Sequence, residues 1–210
     1  MKKIGFFAVA LLLIASSCKE TKKENSSESE NVESSEQFSL VADSTKVSFT
    51  AYKTTEKLPV GGQFKEIEIK NNPSGATPME ALNGTEFSIP VSSLFTNDAT
   101  GTRDPKILEF FFGAMTNTEL ISGVFKSDGS GQSSIDVTLN GETANIPLTH
   151  KMVSDTAITF DGVMDLSNWN ALSAVESINK ACEALHTGKD GVSKTWSEVA
   201  VHAEVLFDKK

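Results

Sequence analysis

Cysteine, tyrosine, histidine and long apolar runs are all scarce in this chain, and each shortage removes a class of protein. Two of its 210 residues are cysteine, Cys18 and Cys182, too few for a disulfide-stapled scaffold or a cysteine-rich metal site. His150, His186 and His202 stand outside any C-x-x-C, H-E-x-x-H or G-x-S-x-G pattern, so the usual signatures of redox, zinc-hydrolase and serine-hydrolase chemistry are missing. No catalytic residue is assigned, and the chain is read as a non-enzyme. Basic residues number 19 against 28 acidic ones, a net charge of −9, which leaves no electrostatic footprint for nucleic acid. Anionic membrane surfaces would also repel it. The apolar run Phe6 to Ile14 is too short to span a bilayer.

That run does fit a leader. Lys2 and Lys3 precede it, and Ala15-Ser16-Ser17 follow it directly before Cys18. Small residues ahead of a cysteine resemble the lipobox of a bacterial lipoprotein, although Ala15 stands where Leu is usual. The resemblance implies that residues 1–17 are a lipoprotein signal peptide and that Cys18 is acylated, each buried methylene contributing about 0.8 kcal/mol to membrane attachment. Cys182 is then the only free thiol. The expected location is the bacterial cell envelope, lipid-anchored, with Lys19 favouring the outer membrane and the periplasmic or surface face left open. Residues 18–37 hold one apolar residue after the cysteine, Val32, among Lys, Glu, Ser, Asn, Thr and Gln. Such a segment cannot offset its ordering entropy and reads as a disordered tether.

Residues 38–210 are enough for one domain with a substantial core. Its apolar residues recur with period two, the mark of half-buried strands. Val47, Phe49 and Ala51 form one such set, and Phe87, Ile89 and Val91 another. Phe64, Ile67 and Ile69 follow Gly61-Gly62, and Leu120 to Phe125 adds a further strand. Ile135, Val137 and Leu139 lead through the hairpin signal Asn140-Gly141 into Ala144, Ile146, Leu148 and His150. Ile158, Phe160 and Met164 come next, and Val199 to Phe207 closes the series. About eight strands suit a mainly β fold, an antiparallel barrel around a small cavity.

Two segments interrupt the alternation. Asp104 as N-cap, Pro105 at the first helical position and Gly113 as stop predict a short buried helix. Leu172, Val175, Ile178, Cys182 and Leu185 recur at helical spacing within Asn170 to Thr187, which predicts an amphipathic helix with that stripe against the barrel.

The order of several short motifs resembles the YceI-like lipid- or polyisoprenoid-binding family of the bacterial envelope. They are Lys46-Val-Ser-Phe-Thr-Ala-Tyr, Val60-Gly-Gly-Gln-Phe, Gly101-Thr-Arg-Asp before Ile107-Leu108 and Phe111-Phe112, Leu139-Asn-Gly-Glu-Thr, Phe160-Asp-Gly with Asp165-Leu-Ser-Asn-Trp, and Trp196-Ser-Glu-Val-Ala-Val. The resemblance spans most of residues 39–207. It implies a lipocalin-like barrel holding an isoprenoid chain in an elongated apolar cavity, with no cofactor other than that lipid. The helix and the loop from His186 to Lys194, inserted before the last strand, depart from the family pattern and would alter the size or access of the cavity.

Composition points the same way, since thirteen Phe against one Tyr supply apolar area without hydroxyls that need partners. The expected ligand-binding residues are Val47, Phe49, Phe64, Phe87, Ile89, Phe111, Phe125, Val137, Ile146 and Phe160. Each would serve equally in a solid core, and only together do they predict a cavity. His150 is in register with Ile146 and Leu148 and is a candidate headgroup contact; Arg103 is another, or else half of a structural pair with Asp104. Cys182 and His186 lie four apart, but two ligands do not make a metal site, so none is assigned. Two alternatives from other classes stay open: a surface interaction protein using the inserted helix and loop on a filled barrel, and an enzyme acting on a hydrophobic substrate. Barrels of this kind also pair through exposed strands, which makes a homodimer a further candidate partner.

Overall fold

The alternating segments become strands of one antiparallel sheet that curls on itself. The structure, a computed structural model, describes residues 36–128 and 131–210; the expected signal peptide, Cys18 and nearly all of the tether lie outside the described residues. In chain order the strands are β1 (Phe38–Leu40), β2 (Lys46–Lys53), β3 (Leu58–Phe64), β4 (Glu68–Ile69), β5 (Ser74–Gly75), β6 (Glu86–Pro90), β7 (Leu94–Phe95), β8 (Leu120–Ser127), β9 (Ser133–Leu139), β10 (Glu142–Ser154), β11 (Ala157–Asp165) and β12 (Thr195–Lys209). The helices are α1 (Pro78–Leu82), α2 (Arg103–Phe110), α3 (Leu172–Ala181) and α4 (Glu183–His186).

The sheet order runs β4-β6-β8-β9-β10-β11-β12-β2-β3-β7. Strands β6 and β7 belong to one bent segment, kinked by a 3-10 turn at Val91–Ser93. Its first half pairs with β8 and its second with β3, which closes a ring of eight strands. The mainly β, lipocalin-like architecture expected from the sequence is therefore the one observed. Asn140 and Gly141 both have positive φ, 53° and 74°, the requirement of a tight hairpin turn between Leu139 and Glu142.

The two ends of the ring are finished differently. At one end β1 pairs with the C-terminal part of β12, and α1 packs Ala81 and Leu82 against Phe38, Leu40, Phe125, Ile158, Phe160, Val205 and Phe207. Helix α1 has its own start signal: Thr77 accepts from the Glu80 amide at 3.2 Å, and the Glu80 carboxylate accepts from the Ala76 amide at 3.0 Å. The backbone here is satisfied by asparagines. Asn72 both accepts from the Leu40 amide and donates to its carbonyl, at 3.1 and 2.8 Å, while Asn71 does the same between Glu86 and Gly84.

At the other end α2, α3 and the turn around Trp169 cover the ring. Trp169 is fully buried, and its indole N–H donates to the Val137 carbonyl at 2.8 Å. The Asn140 side chain ties the hairpin into this cover, donating to the Trp169 carbonyl at 2.9 Å and accepting from the Thr116 amide at 2.8 Å.

Three local expectations are corrected. Helix α2 has no buried residue and ends before Gly113; it is half-buried because one face meets the cavity and the other solvent. Its N-terminus is capped by Asp98, whose carboxylate accepts from the Thr102 and Arg103 amides at 3.1 and 3.2 Å. Asp104 turns back instead to accept from the Thr96 amide and hydroxyl at 3.1 and 2.5 Å. The long helix expected before the last strand breaks at Cys182 into α3 and α4. Val175, Ile178 and Cys182 are buried as the stripe requires, whereas Leu172 and Leu185 at its ends are exposed.

Candidate ligand cavity

The barrel is not filled. A cavity of 590 Å³ runs between the two ends, inside the range of about 300–1,000 Å³ usual for small-molecule sites. Its walls follow from strand alternation: Val47, Phe49 and Ala51 of β2 and Val199, Val201, Ala203 and Val205 of β12 all line it.

Two glycines make room for the rings. Gly62 is the cross-strand partner of Phe49 and Gly123 that of Phe87. A Cβ at Gly62 would collide with the Phe49 ring, and one at Gly123 would lie 2.6 Å from Phe87 Cζ. Each phenyl group lies across a bare backbone, which leaves the centre of the barrel open. Phe49 and Phe64 then meet at 5.7 Å between ring centroids, and Phe125 and Phe160 at 5.1 Å, edge to face.

Ten of the eleven residues expected to bind ligand line this cavity: Val47, Phe49, Phe64, Phe87, Ile89, Phe111, Phe125, Val137, Ile146 and Phe160. His150 does not. It sits opposite Phe160 in the β10–β11 register, with its ring 6.0 Å from that phenyl group. His150 thus shares the inward-facing side of the sheet with Phe160 but stands outside the cavity lining.

The floor and the mouth differ in chemistry. Leu40, Leu82, Phe125, Phe160 and Val205 form an apolar floor at the β1 end. Thr85 is the exception: it lines the cavity, is 4% exposed, and its hydroxyl has no hydrogen-bond partner. The lining residues that are also exposed are Thr100, Thr102 and Leu185, all at the helix end, so the mouth opens there.

Charged lining residues gather at the same end, namely Lys53, Asp98, Arg103, Lys106 and the titratable His186. Asp98 is held below its ordinary value, first by the Thr100 hydroxyl and then by the Thr102 and Arg103 amides and the Arg103 charge. His186 is also pushed down, chiefly by burial and further by the Lys53 ammonium. Its Nδ1 lies 2.6 Å from the Thr195 hydroxyl, and Thr195 is the cross-strand partner of Lys53. At the rim, Trp196 donates to the Thr54 carbonyl at 2.8 Å and stacks under the Lys194 and Lys57 ammonium groups.

The inserted segment is part of the site. Val175, Ile178 and Cys182 of the α3 stripe line the cavity together with Leu185 and His186. The loop behind them is tied to the β2–β3 turn by a 2.6 Å bond from Thr55 to Asp190 and by the Thr54 amide to the Lys194 carbonyl at 2.8 Å. Among the described residues no group of three His, Cys, Asp or Glu is placed to hold a metal ion. His202 is turned to the outer face, with Nδ1 2.7 Å from an Asp161 carboxylate oxygen. The sequence carries no local mark of Lys53, Lys106 or Thr85 as lining residues, since nothing in the pattern around a lysine or threonine separates a cavity from an ordinary surface.

By sequence, no protein-family model matches the chain and no curated protein matches it significantly. Among solved structures it is similar to a polyisoprenoid binding domain from Saccharophagus degradans implicated in plant cell wall breakdown. That match has a TM-score of 0.58 at 14% identity and covers 82% of this chain and 98% of that one. The YCEI protein of Campylobacter jejuni matches with a TM-score of 0.48 at 15% identity, over 72% of this chain and 85% of that one. The first likeness is one of fold, and it is the fold that the YceI-like motifs implied.

Proposed function

We propose that this chain is a YceI-like binding protein of the bacterial envelope, anchored through Cys18, that holds one long apolar ligand in its barrel. The ligand class is a polyisoprenoid, an isoprenoid quinone or a similar lipid, and the role is carriage, storage or stress protection. The observation that carries this reading is the 590 Å³ cavity walled by phenylalanine and aliphatic side chains. A solid core would have collapsed that volume, because an unfilled space forfeits the dispersion contacts of everything around it. The polyisoprenoid-binding domain of the same fold supports it. Participation of α3 and α4 in the wall argues for an insertion that shapes the ligand space, in place of a docking module on a filled scaffold.

Native mass spectrometry of the full-length chain, purified from a bacterial envelope and followed by solvent extraction, tests this reading. A stoichiometric long-chain isoprenoid or comparable lipid is the expected result. The Phe49→Arg variant, folded by circular dichroism, should retain less than about a tenth of it, since a buried unpaired guanidinium excludes hydrocarbon. Retention equal to that of the unmodified chain would overturn the assignment.

A further inference from the structure

We infer that the ligand carries an anionic headgroup, a carboxylate or a phosphate monoester, seated at the mouth between Lys53 and the α2 pair Arg103 and Lys106. This inference rests on the cavity being a lipid site and specifies the end of the lipid that site selects.

The charge balance of the lining carries it. The chain as a whole has a net charge of −9, yet its cavity is lined by three cations and a single carboxylate, Asp98. That carboxylate is already occupied. It accepts from the Thr100 hydroxyl at 2.6 Å and from the Thr102 and Arg103 amides, and its other oxygen lies 3.7 Å from the Arg103 guanidinium. Among the described residues neither Lys53 nor Lys106 has an acidic partner within ion-pair distance, although both are half-buried.

Their placement is a consequence of the fold. Lys53 ends β2 directly across from Thr195, beside His186. Arg103 and Lys106 are three apart on α2, which puts them on one helix face, and both line the cavity with Ile107 and Phe111 of the same segment. Half-buried ammonium groups next to an apolar channel are poorly hydrated, and an anion that arrives attached to a hydrocarbon chain restores their solvation while the chain fills the channel. A neutral headgroup would leave them unpaired. The apolar floor at the opposite end orients such an amphiphile tail first.

Fluorescence titration of the full-length chain with cis-parinaric acid and with its methyl ester isolates the charge, because the two probes share one chain. The expected result is about tenfold tighter binding of the acid. The double variant Lys53→Gln/Lys106→Gln, folded by circular dichroism, should lose most of that preference, read as the ratio of its affinities for acid and ester. Farnesyl phosphate and palmitate should each displace the bound acid, their ranking identifying the headgroup, whereas inorganic phosphate at the same concentration should not. Equal affinity for acid and ester, a preference that survives in the double variant, or displacement by inorganic phosphate would overturn the headgroup site and leave the lipid cavity standing. Binding of neither probe would overturn both.

Discussion

The two ends of this barrel solve the same problem with opposite materials. Both must cover the open rim of a curled sheet. The β1 end does so with hydrocarbon: Phe38, Leu40, Phe125, Phe160 and Phe207 are all buried, and Asn71 and Asn72 satisfy the backbone that the irregular chain leaves over. The helix end combines a buried plug around Trp169 with a half-exposed rim of Lys53, Arg103, Lys106 and His186. Closure and access are thus assigned to separate ends, with the cavity between them. Stability should therefore be concentrated at the floor and ligand selectivity at the mouth.

The largest effect expected from this contrast is on stability. Phe160→Ala at the floor should cost about 3–5 kcal/mol, as for other buried phenylalanines, measured by urea unfolding. Phe111→Ala, half-buried with one side already facing the cavity, should cost about 1–2 kcal/mol. Equal losses would erase the distinction between the ends. A smaller effect is predicted at Asp98. Its depressed carboxyl contributes stability that is fully present above the ordinary aspartate value, about 3.9, and is lost as pH falls through the lowered one. Asp98→Asn should lower the melting temperature near neutral pH, with the gap to the unmodified chain narrowing below about pH 4; a gap constant down to strong acid would contradict the cap. The smallest effect belongs to Thr85. Removing its unpartnered hydroxyl as Thr85→Val should leave stability unchanged or raise it by about 1 kcal/mol, and a clear loss on chemical unfolding would show that the floor needs a polar group.

Much of the barrel was legible from strand alternation alone. Asn140-Gly141 specified its hairpin because only residues tolerant of positive φ fit that turn, and Val47, Phe49, Val137 and Ile146 pointed inward because period two leaves one face for the core. Other features were present but masked by competing signals. Asp104 looked like a helix cap by position, yet Asp98, four residues before Thr102, reached the amides first through a loop whose path no spacing rule encodes. Thr77-Pro78-Met79-Glu80 carried a readable helix start that the apolar pattern overshadowed.

Strand alternation, the inward aromatic set and the preference for Phe over Tyr are written in the sequence, because all three are local or compositional and follow from period two and the cost of burying a hydroxyl. Whether those side chains meet or leave a space, and which charges face that space, is settled by three-dimensional packing. Cross-strand placement of Gly62 under Phe49 and of Gly123 under Phe87 holds rings against the wall, and the end of β2 and helix α2 bring Lys53, Arg103 and Lys106 to the lining of one cavity. Both depend on residues far apart in the chain, and a one-dimensional pattern carries no information about the volume they enclose.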